Sequence, residues 1–161
     1  MSAIEIVLPF TAQSEGFSKT VYKCPAGFDT IGYGRNIQAN PLNQDELKSI
    51  GATTSTSKTS YQVSEEIAKT WLKKELERVK NALSKELSFF DKLDDVRQAI
   101  LIDMAYNMGI KGLLNFKNTL KLISDGKYVE ASINMEQSNW YKQVKTRAKK
   151  LCEAMKTGIL K

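Results

Sequence analysis

Residues 14–35 read SEGFSKTVYKCPAGFDTIGYGR, and the fold turns on how this stretch is taken. Val21-Tyr22-Lys23 and the run from Phe28 to Tyr33 are rich in β-branched and aromatic residues, and CPAG between them supplies a turn. The segment therefore reads as a tight hairpin, punctuated afterwards by Gly32 and Gly34. Upstream, a helical run is stopped by Gly16, which leaves Glu15 at a helix C-terminus. The helix dipole is negative there, so the carboxylate is pushed toward its protonated form unless a cation compensates. A proton-holding Glu facing a cleft suits general-acid work; the alternative is an ordinary surface Glu. Cys24 and Thr30 flank the turn and can project toward the same cleft. Along the second strand Phe28 and Thr30 share one face while Asp29 and Ile31 take the other, so Asp29 points away and is not expected to be catalytic.

Beyond the hairpin, residues 52–60 (ATTSTSKTS) read as a surface loop, and helix signals dominate after it. Ser64 can cap SEEIAKTWLKKELERVKNAL, in which Ile67, Ala68, Trp71, Leu72, Leu76, Val79 and Leu83 recur at helical spacing. Residues 94–108 (DDVRQAILIDMAYNM) are apolar nearly all round, which predicts a buried central helix with Asp103 at its rim or paired. Gly109 and Gly112 bracket a turn. Asn118–Ser124 and Tyr128–Met135 read as two short helices broken by SDG. A final helix carries Val144, Ala148, Leu151, Cys152 and Met155 on one stripe, making Cys152 a core residue. Pro9 is acceptable only in a first turn, so the helix bearing Glu15 is expected to start near Leu8, with residues 1–6 left as an extension.

The fold class expected is α+β: a β-hairpin lobe over about 15–62, a bridging helix over about 64–83, and a helical lobe over about 84–161 that includes the N-terminal helix. All of 1–161 forms one domain. Histidine is absent, which removes the commonest general base, the Ser-His and Cys-His pairs and most zinc sites, so neither a metal nor a cofactor is expected. Two cysteines do not make a disulfide framework. No window is long and apolar enough to span a membrane, and the N-terminus lacks the features of a signal peptide; the expected starting place is the cytoplasm. The net charge of +6 suits an anionic partner or plain solubility. The lysines are dispersed and no helix-turn-helix pattern occurs, so nucleic acid is not the expected partner.

The spacing Glu15-x8-Cys24-x5-Thr30 resembles the Glu–Asp/Cys–Thr triad of phage-type lysozymes, glycoside hydrolase family 24. DDVRQAILIDMAYNMGIKGLLNFKNTL resembles the buried central helix of that family and the turn after it, and SNWYKQVKTRAKKL resembles its C-terminal segment. From Val7 onward the chain can be laid on the family pattern without a large gap. The resemblance implies a two-lobed lysozyme-like fold and a muramidase, a bacteriolytic glycosidase. It would cut the β-1,4 bond between N-acetylmuramic acid and N-acetylglucosamine in peptidoglycan, with inversion. It further implies Glu15 as general acid, Cys24 and Thr30 as holders of the attacking water, and Arg147 as the partner of the acid. Asn36, Tyr106, Thr119 and Asn134 fall at substrate-contacting positions, Tyr106 being alternatively a core aromatic.

In biological terms the resemblance implies an endolysin. Such a protein acts as a monomer without stable membrane insertion, waits in the host cytoplasm, and reaches the wall in the periplasm at lysis. Two departures matter. The family often has Asp where Cys24 stands, and a neutral thiol is a poor base, so Cys24 acts as a thiolate helped by Lys19, Lys23 or Arg147, or only orients water. Relatives commonly carry His where Arg35 stands, and the aligned partner is Glu75, so an Arg35–Glu75 ion pair is expected. The competing reading is a catalytically idle wall-binding domain.

Overall fold

A computed structural model describes all 161 residues. In chain order the elements are α1 (Ala3–Glu15), β1 (Ser18–Lys23), β2 (Asp29–Gly32), β3 (Arg35–Asn36), α2 (Gln44–Ser49), α3 (Glu65–Glu86), α4 (Asp95–Met108), α5 (Ile110–Leu114), α6 (Lys117–Ser124), α7 (Tyr128–Glu136), α8 (Asn139–Val144) and α9 (Thr146–Thr157). Nine α-helices and one three-stranded antiparallel sheet make this an α+β fold of the lysozyme-like kind. The chain packs as two compact units, Thr11–Glu75 and Met1–Phe10 with Leu76–Lys161.

In the unit Thr11–Glu75 the hairpin forms where its sequence places it. Gly27 N–H donates to the Cys24 carbonyl (2.8 Å), and Cys24 N–H donates to the Phe28 carbonyl (3.0 Å), closing the strands around Pro25-Ala26-Gly27. Gly27 sits at φ +87°, a conformation that a side chain resists. The register sets Tyr22 opposite Thr30 and Lys23 opposite Asp29, then Thr30 opposite Asn36 and Ile31 opposite Arg35. Ile31, Ile37, Leu47, Val63, Ala68, Trp71 and Leu72 are buried and form this unit's core. Ser64 Oγ accepts the Ile67 N–H, the cap expected at the start of α3.

Arg35 differs from its sequence expectation. Its guanidinium forks onto the carboxylate of Glu46, Nη2 reaching Oε1 at 2.9 Å and Nη1 reaching Oε2. Its Nε donates to the Asn40 carbonyl (3.1 Å), and Nη2 also donates to the Pro41 carbonyl (2.9 Å). The Trp71 ring lies 5.4 Å from the guanidinium carbon. The partner is therefore Glu46 rather than Glu75. The reason is local: Asn43 and Glu46 form a capping box that starts α2, and this fixes the Glu46 carboxylate in front of Arg35.

Three smaller expectations are also corrected. The helix α1 begins at Ala3 and runs through Pro9, which lies well inside it. Proline there costs about 3 kcal/mol. Burial of Ala3, Val7 and Phe10, all on one helical face, offsets that cost. Gly112 lies within α5 instead of bracketing a turn, and the break between α4 and α5 falls at Gly109, φ +85°. Val144 ends α8, because Lys145 at φ +58° separates that helix from α9.

In the other unit, α4 is the buried centre, with every residue from Gln98 to Ala105 buried. Asp103 is fully buried and accepts a two-point bond from Arg147, Nε to Oδ2 and Nη2 to Oδ1, each 2.9 Å. Of the two sequence alternatives for Asp103, pairing is the one observed. On α9, Ala148, Leu151, Cys152 and Met155 are buried, and the Ser132 hydroxyl donates to the Cys152 carbonyl (2.9 Å).

The Arg35–Glu46 pair carries a pH signature. Burial raises the Glu46 pKa, but the Arg35 fork, the Asn43 N–H and nearby Lys74 outweigh it and hold the group below its ordinary 4.5. A depressed carboxylate stabilises the fold above its unfolded pKa and loses that contribution as pH falls through the folded value. Replacing Glu46 by Gln leaves Arg35 buried without a counter-charge, so the expected loss at neutral pH is about 3–5 kcal/mol. In urea titrations the gap between wild type and Glu46→Gln should be constant above pH 4.5 and shrink below it.

Candidate active site

Glu15 ends α1. The Gly16 N–H closes the last turn on the Ala12 carbonyl (3.0 Å), and Gly16 leaves the helix at φ +74°. The carboxylate lies against backbone: a Cβ on Gly34 would come 2.5 Å from Glu15 Oε2 and 3.1 Å from its carboxyl carbon. Gly34 is at φ +72°, so this place is open only to glycine on both counts.

The neighbours of Gly34 hold it there. Gly32 abuts the Ala68 Cβ (3.3 Å to a would-be Cβ). Tyr33 packs its ring 5.5 Å from Phe17 and hydrogen-bonds Glu65 in the first turn of α3. Arg35 is locked onto Glu46.

Cys24 directly follows β1 and Thr30 lies on β2, and the continued register gives them one face at the turn end of the hairpin. Thr30 is buried and Cys24 half-buried. The Cys24 thiol is pulled below its ordinary value of 9.0, first by a backbone hydrogen bond from Phe28, against burial, and further by Ala26, the Thr30 hydroxyl and Gly27. The cause therefore differs from the one expected: backbone N–H groups of the turn lower this thiol, not Lys19, Lys23 or Arg147. Lys23 is engaged on the opposite face, 2.8 Å from Asp29, which places Asp29 away from Thr30 as the alternation predicted.

Thr30 also donates its hydroxyl proton to the Phe28 carbonyl (2.9 Å). One proton cannot serve both acceptors, so the carbonyl holds it beside a neutral thiol, and a thiolate draws it to sulfur.

Of the other residues singled out from sequence, Asn36 is half-buried on β3 opposite Thr30, and its side-chain oxygen accepts the Gln38 and Ala39 N–H groups (3.0 Å each). The remaining ones belong to the other unit. Thr119 donates to the Asn134 side chain, and both line a cavity of about 620 Å³ with Asn115, Phe116, Asn118 and Trp140. Arg147 is on Asp103, and Tyr106 is half-buried on α4. Sequence reasoning missed Gly34 as part of the scaffold around Glu15. Gly34 had a signal in the paired glycines of IGYG, whereas Asp103 was seen without its partner.

A model of the Phage lysozyme family matches residues 12–156. The chain belongs to the phage lysozyme family. Over 155 residues it is 31% identical to "Probable T4-type lysozyme 2" of Dictyostelium discoideum, covering 91% of each chain. It is 34% identical over 73 residues to "Probable T4-type lysozyme 1" of the same organism, 45% of this chain and 43% of that one. A third relative, the "Pre-baseplate central spike protein Gp5" of Enterobacteria phage T4, is 27% identical over 157 residues, 92% of this chain but 27% of the spike protein. The chain is accordingly a lysozyme, a hydrolase with a muramidase role and peptidoglycan as its substrate. No helix is long and apolar enough to cross a membrane.

The two thiols of this lysozyme should behave oppositely. Cys152 is buried and pushed up to about 12, mainly by burial, whereas Cys24 is lowered. In the folded protein iodoacetamide should modify Cys24 alone, with a pH midpoint below 9.0, and reach Cys152 only after unfolding; peptide mass mapping across a pH series checks both.

Proposed function

We propose that the chain is an endolysin that hydrolyses the β-1,4 bond between N-acetylmuramic acid and N-acetylglucosamine, with inversion at the anomeric carbon. The observation that carries this reading is the shared hairpin face of Cys24 and Thr30, with turn N–H groups directed at the Cys24 sulfur. Glu15 gives its proton to the departing glycosidic oxygen as the C–O bond breaks. A water held by Cys24 Sγ and Thr30 Oγ1 adds to the opposite face of the anomeric carbon and loses its proton to solvent or to the Cys24 thiolate. Inversion requires room for that water, roughly 6.5–9.5 Å between the acid and the group serving the water. The spacing Glu15-x8-Cys24-x5-Thr30 supports these roles.

Arg147 is the supporting cation, and the fork from Asp103 fixes its plane. Asn36, Tyr106, Thr119 and Asn134 are substrate contacts. The amide and aromatic lining of the Thr119–Asn134 cavity suits N-acetylated sugars. In this reading all 161 residues work as one catalytic domain. The protein acts as a monomer, stays in the host cytoplasm until lysis, and then attacks the wall from the periplasm.

The test is clearing of purified peptidoglycan by wild type, Glu15→Gln and Cys24→Ser. Glu15→Gln, which keeps shape and removes the proton, should lose at least about a hundredfold in rate. Cys24→Ser should retain a measurable fraction of activity if the thiol only orients water, and fall with Glu15→Gln if it takes the proton. The anomer first released, read by proton NMR, should be inverted. Wall binding by folded wild type without clearing would favour the idle binding domain.

A further inference from the structure

Four side chains share one face at the turn end of the hairpin. The register sets Tyr22 opposite Thr30, and the closing hydrogen bond sets Cys24 opposite Phe28. Polar groups occupy one diagonal of this square and aromatic rings the other. Thr30 is withdrawn at 3% exposed and Cys24 is half-buried, while Tyr22 and Phe28 stand out at 40% and 44%. A single exposed aromatic is ordinary. Two that flank a thiol and a hydroxyl assigned to the attacking water give that face exposed apolar rings beside its polar groups.

We propose that Tyr22 and Phe28 are specificity-determining residues, an aromatic platform that takes a sugar ring of the glycan strand and fixes its register over Cys24 and Thr30. This rests on the reading of Glu15, Cys24 and Thr30 given under Proposed function. The chemistry of the patch selects the ligand. Sugar rings present C–H faces that pack on aromatic rings, and their hydroxyl and N-acetyl groups need a donor at the edge. Tyr22 supplies both. Burial, the negative charge of Glu15 and then that of Cys24 keep its phenol protonated above its ordinary 10.0, so it is a lasting donor beside the acid. Phe28 supplies only a ring. Lys23, between Tyr22 and Cys24 in the chain, is bound to Asp29 on the other face, so the patch itself carries no cation from that position.

Binding and turnover separate the platform from the catalytic groups. In the Glu15→Gln background, calorimetry with soluble uncross-linked glycan strands gives Kd for Tyr22→Ala, Phe28→Ala and Tyr22→Phe. The same three changes in active enzyme give kcat and KM. Each alanine variant should weaken Kd and raise KM about five- to tenfold, the size of one lost aromatic contact, and leave kcat within about twofold; Tyr22→Phe should fall between. Both residues are surface positions, so truncation should leave cooperative melting intact.

The platform is overturned if both alanine variants bind within about twofold of their parent, since a lost ring contact should exceed that. It is also overturned if kcat falls while KM holds, or if the substitutions abolish a concentration-dependent dimer without changing sugar binding. Wild type that hydrolyses peptidoglycan alongside unaffected platform variants sinks the platform alone. Wild type that does not hydrolyse peptidoglycan sinks the catalytic reading, and the platform with it.

Discussion

The close approach of the Gly34 backbone to the Glu15 carboxylate is the constraint on which the rest of this candidate site depends. A would-be Cβ at Gly34 comes within 2.5 Å of Oε2, so the carboxylate occupies the space that a side chain would take. Everything around Gly34 serves that approach. On one side Gly32 lets the strand press against Ala68, and Tyr33 ties the turn to Phe17 and Glu65. On the other side Arg35 is gripped by the Glu46 carboxylate and the carbonyls of Asn40 and Pro41. The same β3 residues that hold Gly34 also pair with β2, where Ile31 lies opposite Arg35 and Thr30 opposite Asn36. Positions of the Glu15 carboxylate and of the Thr30 hydroxyl are thus set by one short piece of sheet.

Charge inside this fold is paired, in two buried guanidinium–carboxylate forks. Arg35–Glu46 lies in the unit Thr11–Glu75 and Arg147–Asp103 in the other. Such pairs contribute little net stability against an apolar replacement, yet breaking one strands a charge in low dielectric. Their value here is geometric, because a two-point fork fixes the plane of each guanidinium. The turn at Cys24 applies the same economy to a thiol: backbone N–H groups, which carry no net charge and need no desolvated partner, lower its pKa.

Much of this could be read before folding. CPAG announced the hairpin because proline and glycine have few other uses between two β-branched runs, and the unbroken apolar stretch of α4 announced its burial. Alternation alone placed Asp29 away from Thr30. What escaped depends on contacts between segments. The partner of Arg35 was misassigned because α2 is a six-residue polar helix with no apolar periodicity, and only its capping box shows where Glu46 points. Pro9 misled because local propensity argues against a helix that the burial of Ala3, Val7 and Phe10 sustains. A lowered Cys24 pKa was one of two alternatives left open, and its source was sought in Lys19, Lys23 and Arg147, since sequence displays charges and hides the direction of backbone N–H groups.

The proposal that Glu15 is the general acid and is held in place against Gly34 is tested most directly by the turnover of Gly34→Ala on peptidoglycan, alongside its melting curve. The added methyl must displace the carboxylate, and a misplacement near 1 Å predicts a kcat lower by on the order of a hundredfold in a protein that still unfolds cooperatively. A folded Gly34→Ala enzyme with wild-type kcat would contradict the account.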